Sequence, residues 1–329
     1  MKNIKYSTIN ILTGSDLSSR RLAYLAAKSN HPGPIVWLTG CVHGDEVEGI
    51  VIIQEIFKRL RKEPLLKGEV HAFPLMNPIG FETVSRHIVM SEEDLNRSFP
   101  GDRLGSLAER LADKIFTAIN KTKPTLVLDL HNDWLNSIPH TLLDPYPGLK
   151  HKNAWLKAKE LSMQTGCLVI NEEEVGTKAE ELKLTLSGSL IMHDVPALTL
   201  ELGGASTKSN IISEMDVDDG IRAIWRILAY LGMVKPRDEA FNFQAPIEFK
   251  GKILREFHQQ VSSSGIIRFV AKPGDVVRRG QVLARVYNVF GKLQENLVAV
   301  QDGIILGHAD YAVAYPGGDI LEFGVTSKQ

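Results

Sequence analysis

Two side chains that could bind a metal ion, His43 and Glu46, stand three residues apart in the segment GCVHGDEVEG, residues 40–49. An imidazole nitrogen and a carboxylate oxygen are ordinary zinc ligands, with metal–ligand distances of about 2.0–2.2 Å. A catalytic zinc site needs a third protein ligand and leaves one position for water. The pair alone is a weak signal, because acidic residues and histidines are also common where helices begin. The rest of the chain must therefore supply the third ligand.

The pair lies where a predicted strand passes into a predicted helix. The run IVWLTG (35–40) is short and apolar, which is typical of a buried strand, and apolar residues at helical spacing predict a helix over about 46–62. Two further apolar runs are predicted strands that end on His131 and Glu201. Because ligands bind at the carboxyl ends of strands in open α/β sheets, we expect these residues to converge.

Several neighbouring residues are given no part in that site. Asp129 and Asp133 flank His131 and are predicted to point away from it. Cys41 is close to His43, but a small buried packing role suits the end of a strand better. The segment 136–152 is rich in proline and is predicted to be a loop.

The segment 76–106 is predicted to be a long loop, because it carries many polar and turn residues and few helical signals. A loop of that length inside a compact domain is usually functional. It contains four candidates for site residues, Arg86, Asp94, Asn96 and Arg97. A helix with an apolar stripe is predicted directly after it, over 106–120.

Length and composition favour a globular enzyme of two domains. The chain has 329 residues, of which 43% are hydrophobic and 23% charged, and its formal net charge is −1. A net charge this close to zero predicts neither nucleic acid nor a membrane surface as the partner. No signal peptide and no run of about 18 apolar residues is found, so no membrane span is predicted. The two cysteines are too few for a disulfide framework and predict a cytoplasmic protein.

The last part of the chain is predicted to be a separate all-β domain. A linker at 233–248 divides the chain into domains 1–240 and 241–329. Beyond it, short alternating runs with Pro-Gly turns replace the helical period. The segments that start at Val261 and Val300 each contain Gly-Ile-Ile and then a Pro-Gly turn. Two matched halves predict a small β-sandwich or barrel.

Four separated motifs resemble those of the succinylglutamate desuccinylase/aspartoacylase family, which is part of the zinc carboxypeptidase-like hydrolases. They are HGDE at 43–46, DLNR at 94–97, His131 and Glu201, in the family's order. The resemblance covers about residues 35–232. It implies an α/β fold, a three-layer α/β/α domain with a mixed sheet. The C-terminal region resembles the β-domain of bacterial members and a biotinyl/lipoyl-like barrel-sandwich.

The resemblance implies one Zn²⁺ per chain. His43 and Glu46 would be its first two ligands and His131 the third. Asp94 would orient the first histidine. Mutation of such a supporting partner typically lowers metal affinity or activity by about 10- to 100-fold.

The resemblance also implies the residues that act on the substrate. Glu201 would be the general base, and Arg86 would polarise the scissile carbonyl, although it precedes Asn96 by a longer gap than in close aspartoacylases. Asn96 and Arg97 would hold the substrate carboxylate, for which a planar guanidinium fork is well suited. The family's substrate-binding tyrosine has no clear match, and the candidates are Tyr287, Tyr311 and Tyr315.

The predicted function is a zinc-dependent deacylase that hydrolyses the amide bond of a small N-acyl amino acid to a carboxylate and a free amine. One alternative is a metallocarboxypeptidase that acts on a peptide. An alternative of another class is a non-catalytic carrier or binding protein. A carrier needs a lysine at a hairpin where alignment places Phe290, so the β-domain is interpreted as a lid or an oligomer contact. The acyl group, the amino-acid side chain and a homo-oligomeric state stay open.

Overall fold

The computed structural model describes most of the chain. The described ranges are 4–13, 17, 19–134, 136–172, 177–203, 212–243, 252–256 and 260–326. Residues 244–248 of the predicted linker lie outside them. A search of the described ranges finds no helix that combines the length and the apolar character needed to cross a membrane.

Helices and strands alternate through the first two thirds of the chain, and strands alone follow. The helices are α1 (Glu48–Lys62), α2 (Pro78–Glu82), α3 (Leu107–Asn120), α4 (Lys152–Ser162), α5 (Thr177–Leu182), α6 (Leu186–Ile191) and α7 (Glu214–Tyr230). The strands are β1 (Ile4–Thr13), β2 (Ser19–Lys28), β3 (Ile35–Gly40), β4 (Glu69–Phe73), β5 (Leu126–Asn132), β6 (Asn136–Ser137), β7 (His140–Leu143), β8 (Leu168–Asn171), β9 (Ala197–Leu202), β10 (Ile253–Glu256), β11 (Gly265–Phe269), β12 (Val276–Val277), β13 (Val282–Tyr287), β14 (Leu293–Val298), β15 (Gly303–His308), β16 (Val313–Ala314) and β17 (Leu321–Thr326).

A mixed sheet of 13 strands forms the centre of the molecule. Its order is β1-β2-β4-β3-β5-β9-β7-β8-β10-β17-β15-β12, and β6 pairs with β15. The strands β4, β3, β5 and β9 are parallel neighbours, so their carboxyl ends meet at one edge. The next strand, β7, runs antiparallel to β9. Strands buried on both faces read as continuous apolar runs, as the sequence shows for β3 and β5.

Alternation along β5 separates the two faces of this sheet. Leu128 and Leu130 pack in the core that contains the apolar faces of α1 and α7. Val127 packs in a second core with α3 and α6. Helices therefore cover both faces, as the predicted three-layer architecture requires. Because residues two apart on a strand share a face, His131 lies on the same side as Val127.

The C-terminal strands are divided between two sheets. Four of them form a separate sheet in the order β14-β13-β11-β16, while β10, β17, β15 and β12 extend the large sheet. The two Gly-Ile-Ile repeats begin β11 and β15, one in each sheet. The predicted fold class, a mixed-sheet α/β domain with a small all-β C-terminal part, is confirmed. The division at residues 240/241 stays a prediction. The strands β8 and β10, which lie on either side of it, pair in parallel.

The predicted loop at 136–152 is wrong in part, because it contains β6, β7 and the start of α4. The strand β7 lies inside the large sheet, between β9 and β8. Its four residues, HTLL, are too few to show a period, and Pro139 and Pro145 stand close on either side. Pairing on both edges, which a single sequence does not show, fixes this strand. The segment 76–106 likewise contains the short helix α2 and a 3₁₀ turn at Leu95–Arg97.

Candidate active site

Close backbone packing shapes the turn between β3 and α1. Cys41 has a φ of +53°, and its Sγ donates to the carbonyl oxygen of His43 at 3.3 Å. A Cβ on Gly44 would lie 2.0 Å from the carbonyl carbon of Gly80, so only glycine lets this turn pack against α2. The buried Cys41 therefore holds the turn, and the contact with α2 brings the loop that carries Arg86 beside it.

His43, Glu46 and His131 meet at one point. Glu46 Oε1 lies 2.5 Å from His43 Nδ1, and Glu46 Oε2 lies 2.9 Å from His131 Nδ1. All three side chains are buried. One potential ligand atom of each lies within 4.8 Å of the other two. The fold thus brings together the three predicted metal ligands, which come from the β3–α1 turn and from β5.

The chemistry of this donor set fits a divalent metal ion. Burial alone would lower the pKa of His43 and of His131, yet neighbouring carboxylates raise both. Burial alone would raise the pKa of Glu46, yet the two imidazoles lower it. The protein therefore places two imidazoles and one carboxylate where positive charge is strongly favoured. Two neutral imidazoles and a carboxylate are a ligand set that zinc takes in hydrolases, and metal binding displaces the imidazole protons.

Asp129 points toward His131, and the prediction that it points away was wrong. Its Oδ2 lies 2.9 Å from His131 Nε2, and its Oδ1 accepts a hydrogen bond from Thr39 Oγ1 at 2.6 Å. The signal was present in the sequence, because residues two apart on a strand share a face. Asp129 fixes the orientation of the imidazole that presents Nδ1 to Glu46. Asp133 also differs from its prediction, since it lines the same cavity.

We expect Asp129→Asn to weaken metal binding by ~10–100-fold, the range for residues that orient a metal-binding histidine. An amide offers one acceptor oxygen, so it cannot serve both Thr39 and His131 as the carboxylate does. Competition with a chelator of known affinity measures the change. Asp113→Asn, on α3, is the matched control and should leave metal affinity unchanged. Equal affinity for the wild-type and Asp129→Asn proteins would remove Asp129 from this role.

Arg86 and Asp94 border the three-residue cluster. Asp94 Oδ1 lies 3.3 Å from His43 Nε2, while its Oδ2 accepts hydrogen bonds from Arg86 Nε at 3.2 Å and Nη2 at 3.0 Å. Arg86 Nη1 lies 3.6 Å from Glu46 Oε1. Burial opposes ionisation of Asp94, but His43 and Arg86 hold the pKa of its carboxyl well below the usual range. Asp94 therefore stays charged and positions both neighbours, His43 and Arg86.

Asn96 and Arg97 lie in the 3₁₀ turn and line the cavity. The Oδ1 of Asn96 accepts a hydrogen bond from the backbone N–H of Leu186 at 2.9 Å, where α6 begins. Arg97 Nη1 donates to the carbonyl oxygen of Asn96 at 2.8 Å. The predicted carboxylate clamp is thus at the wall of the cavity, supported by α6.

Glu201 is the register partner of His131 in the parallel pair β5–β9. It is buried, and within the described part of the chain its Oε2 has no hydrogen-bond partner. Burial raises the pKa of Glu201, although His131 and Arg255 act in the opposite direction. A carboxylate oxygen that has no partner among the described residues, beside three potential metal ligands, is placed to accept a proton.

A cavity of about 570 Å³ connects these residues. It is lined by seven of the eight predicted site residues, and the eighth, Asp94, contacts His43 and Arg86 from behind. The C-terminal region contributes Arg255, Asp310 and Asp319 to its wall. None of the three candidate tyrosines, Tyr287, Tyr311 and Tyr315, is among the described residues that line it.

Arg255, on β10, is a cavity residue that the sequence interpretation missed. Its Nη1 lies 2.8 Å from Glu172 Oε1, and its Nε lies 2.5 Å from Glu322 Oε1. Asp133, His140 and Glu322 form a second group of potential ligand atoms within 4.8 Å of one another. Burial raises the pKa of Asp133, Glu322 raises it further, and Arg255 acts against both. Arg255 thus supplies a cation to this group, and the pairing of β10 with β8 and β17 places it there.

The comparisons with known proteins indicate a hydrolase of the deacylase class. The family model of the succinylglutamate desuccinylase/aspartoacylase catalytic domain matches residues 32–231. The N-alpha-acetyl-L-2,4-diaminobutyric acid deacetylase of Halomonas elongata is 31% identical over 287 residues, which are 83% of this chain and 77% of that protein. The chain belongs to the succinylglutamate desuccinylase/aspartoacylase family.

Two solved structures show the same fold over nearly the whole chain, and a third is similar over 69% of it. The ectoine utilization protein EutE (DoeB) from Ruegeria pomeroyi, with product bound, superposes with a TM-score of 0.80 at 20% identity, covering 99% of this chain and 96% of that chain. A succinylglutamate desuccinylase/aspartoacylase from Rhodobacter sphaeroides gives a TM-score of 0.79 at 20% identity, covering 100% and 97%. A metallo-carboxypeptidase from Burkholderia cenocepacia gives 0.51 at 17% identity, covering 69% and 65%.

Proposed function

We propose that the protein is a zinc-dependent deacylase that hydrolyses the amide bond of a small N-acyl amino acid, releasing a carboxylate and a free amine. One observation carries the proposal. His43, Glu46 and His131 meet at one point of a cavity, and Glu201 lies beside them as the register partner of His131. Four side chains from three separate segments, each suited to one part of amide hydrolysis, thus share one site.

His43, Glu46 and His131 would hold one Zn²⁺ per chain, with Asp94 and Asp129 orienting the two imidazoles. When bound, zinc supplies Lewis-acid polarisation of the scissile carbonyl and acidifies water, whose pKa it lowers to about 7. The protein's part is to present three ligands and to leave the cavity side open to water and substrate.

Glu201 moves the proton. Its unpartnered oxygen takes a proton from the attacking water, whose oxygen forms the new bond to the carbonyl carbon. As the carbon–nitrogen bond breaks, Glu201 gives that proton to the departing nitrogen, which leaves as the free amine. Burial, which raises the pKa of Glu201, makes its carboxylate a better base than an exposed glutamate.

The arginines bind negative charge. Arg86 lies beside Glu46 and His43 and would stabilise the oxyanion that forms on the carbonyl oxygen. Arg97, with Asn96, would bind the α-carboxylate of the substrate, because its planar guanidinium can donate two parallel hydrogen bonds to a carboxylate. The enzyme would therefore favour N-acyl amino acids with a free carboxylate.

The Halomonas elongata relative is named for N-alpha-acetyl-L-2,4-diaminobutyric acid, which is an N-acetyl amino acid. We take from it the general class, an N-acyl amino acid. The carrier alternative has less support, since the exposed turn between β13 and β14 presents Phe290 where a carrier would present a lysine. A cytoplasmic location, a homo-oligomer and a domain boundary near residue 240 remain predictions.

A panel of N-acyl amino acids, assayed for free amine with and without a chelator, tests the proposal. We expect at least one acetyl or succinyl amino acid to be hydrolysed, with activity lost in the chelator and restored by zinc. The methyl ester of the best substrate, which lacks the free carboxylate, should react far more slowly. Hydrolysis that survives complete removal of metal, or a preference for peptides over acyl amino acids, would contradict the proposal.

A further inference from the structure

A row of charged side chains crosses three neighbouring strands on the cavity side of the sheet. Leu143 of β7 is the register partner of Asn171 of β8, so the next residues, Asp144 and Glu172, stand side by side. The backbone N–H of Glu172 donates to the carbonyl oxygen of Leu143 at 3.0 Å, which continues the pairing to this level. Both carboxylates line the cavity, and both residues are buried.

The row continues through Arg255, because β8 also pairs in parallel with β10. Arg255 Nη1 lies 2.8 Å from Glu172 Oε1, and Arg255 Nε lies 2.5 Å from Glu322 Oε1. From Glu322 through Arg255 to Glu172, the charged groups alternate as carboxylate, guanidinium and carboxylate. At the inner end the alternation stops, since Glu172 is followed by a second carboxylate, Asp144.

Among the described residues, no ion pair joins a cation to the inner end of the row. Within the described residues, Glu172 Oε2 is buried and has no hydrogen-bond partner. Burial raises the pKa of Asp144 to about 7, the hydroxyl of Ser187 lowers it, and the carboxylates of Glu172 and Asp129 raise it further. Two adjacent buried carboxylates repel each other unless a proton or a cation lies between them. A ligand cation at this place would complete the alternation and satisfy the unpartnered oxygen.

We propose that Asp144 and Glu172 bind a primary ammonium group on the side chain of the substrate, so that the preferred substrates are N-acyl diamino acids. This inference rests on the proposed deacylase function and adds its specificity. An ammonium is a compact cation with three donors, enough for both carboxylates and the nearby Ser187 hydroxyl. The charge of the cavity as a whole also favours a cationic ligand, because its described lining residues include eight carboxylates and three arginines.

Strand geometry bounds the length of the substrate side chain. Glu201 is the register partner of His140 on β7, and Asp144 follows four residues later, roughly 13 Å along the strand at about 3.3 Å per residue. This distance must be spanned by the substrate together with three side chains, those of Asp144, Glu172 and Glu201. A side chain that ends in an ammonium two to four carbons from Cα falls within that range.

The test compares each ammonium with a methyl group of the same size. The Nα-acetyl derivatives of L-2,4-diaminobutyrate, L-ornithine and L-lysine are paired with those of L-norvaline, L-norleucine and L-2-aminoheptanoate. For the side chain of the right length, we expect kcat/KM to favour the ammonium compound by ~10²-fold, because hydrogen bonds to charged groups contribute about 1.5–3 kcal/mol. Equal values of kcat/KM in all three pairs would overturn the inference.

Asp144→Asn and Glu172→Gln assign the preference to this pair of residues. In each variant the ratio should fall by at least ~10-fold while kcat/KM for the methyl compound stays near the wild-type value. Asp310→Asn, which neutralises an exposed carboxylate of the same cavity, is the control and should keep the ratio. A ratio kept in both test variants, or lost equally in the control, would also overturn the inference. Should one variant not fold, the other variant and the wild-type pairs still decide.

Failure of this inference differs from failure of the proposed function. If neutral or acidic N-acyl amino acids are hydrolysed with metal dependence and no ammonium compound is preferred, only the specificity is wrong. If no N-acyl amino acid of any charge is hydrolysed by the zinc-loaded protein, the proposed function itself is wrong.

Discussion

Glu201→Gln should abolish hydrolysis while leaving the metal in place. The amide has the shape of the carboxylate but cannot take a proton from water, so we expect turnover to fall by ~10²–10⁴-fold, the usual contribution of a positioned base. The substituted residue lies beside the three metal ligands and is not one of them, since the convergent group is His43, Glu46 and His131. Elemental analysis and the rate of amine release, measured on the same sample, check both halves of the result.

The structure also indicates that this variant will fold. Glu201 is buried and its Oε2 lacks a hydrogen-bond partner in the described residues, so replacement by a neutral isostere removes a buried charge without breaking a contact of that oxygen. Glu214→Gln, an exposed substitution on α7, is the matched control and should keep full activity. Turnover that stays within a few-fold of wild type in Glu201→Gln would exclude Glu201 as the base.

His43→Ala should remove the metal and all activity together. The substitution deletes one of three ligands. The two that remain, Glu46 and His131, are fewer than the three protein ligands of a catalytic zinc site. Zinc should fall from about one per chain to below about a tenth, because a catalytic site relies on three protein ligands. The loss also removes the contact between Asp94 and His43 while the contact between Asp94 and Arg86 stays, so the loop that carries Asp94 and Arg86 should become easier to cleave with protease.

His87→Ala is the control for that experiment, since His87 is an exposed histidine next to Arg86. It should bind zinc as the wild-type protein does. Added imidazole can occupy the space left in His43→Ala, and partial recovery of zinc binding would show that the missing ring is the cause. Full zinc content in His43→Ala without imidazole would place the metal elsewhere.

The central strands and the polar residues at their ends were predictable because local signals sufficed. The strands β3, β5 and β9 are mainly apolar runs, and a histidine or a carboxylate stands at or just beyond the carboxyl end of each. Parallel strands share an edge, so the convergence of His43, His131 and Glu201 followed from the class of fold. The helix α3 was equally clear from its apolar stripe, and in the structure a capping box from Ser106 to Glu109 begins it.

The residues that were missed depend on pairings between distant segments. Arg255 reaches the cavity because β10 pairs with β17 and with β8, whose residues lie about 80 positions earlier, as the register of Ile253 with Ile170 shows. Asp144 follows β7, which was mistaken for loop, so its position beside Glu172 was hidden as well. Asp129 is a different case: its place beside His131 followed from the alternation of the strand, and the sign of that alternation was misread.

The backbone hydrogen bonds between β8 and β10 limit how a substrate can enter. They join the strand that leads to Glu172 with the strand that carries Arg255, so the floor of the cavity and its C-terminal wall belong to one pleated surface. Swinging the C-terminal region away as a rigid body would break that ladder and separate a buried ion pair. Substrate and product are therefore expected to enter and leave across the rim of the cavity, while the two parts of the molecule remain joined.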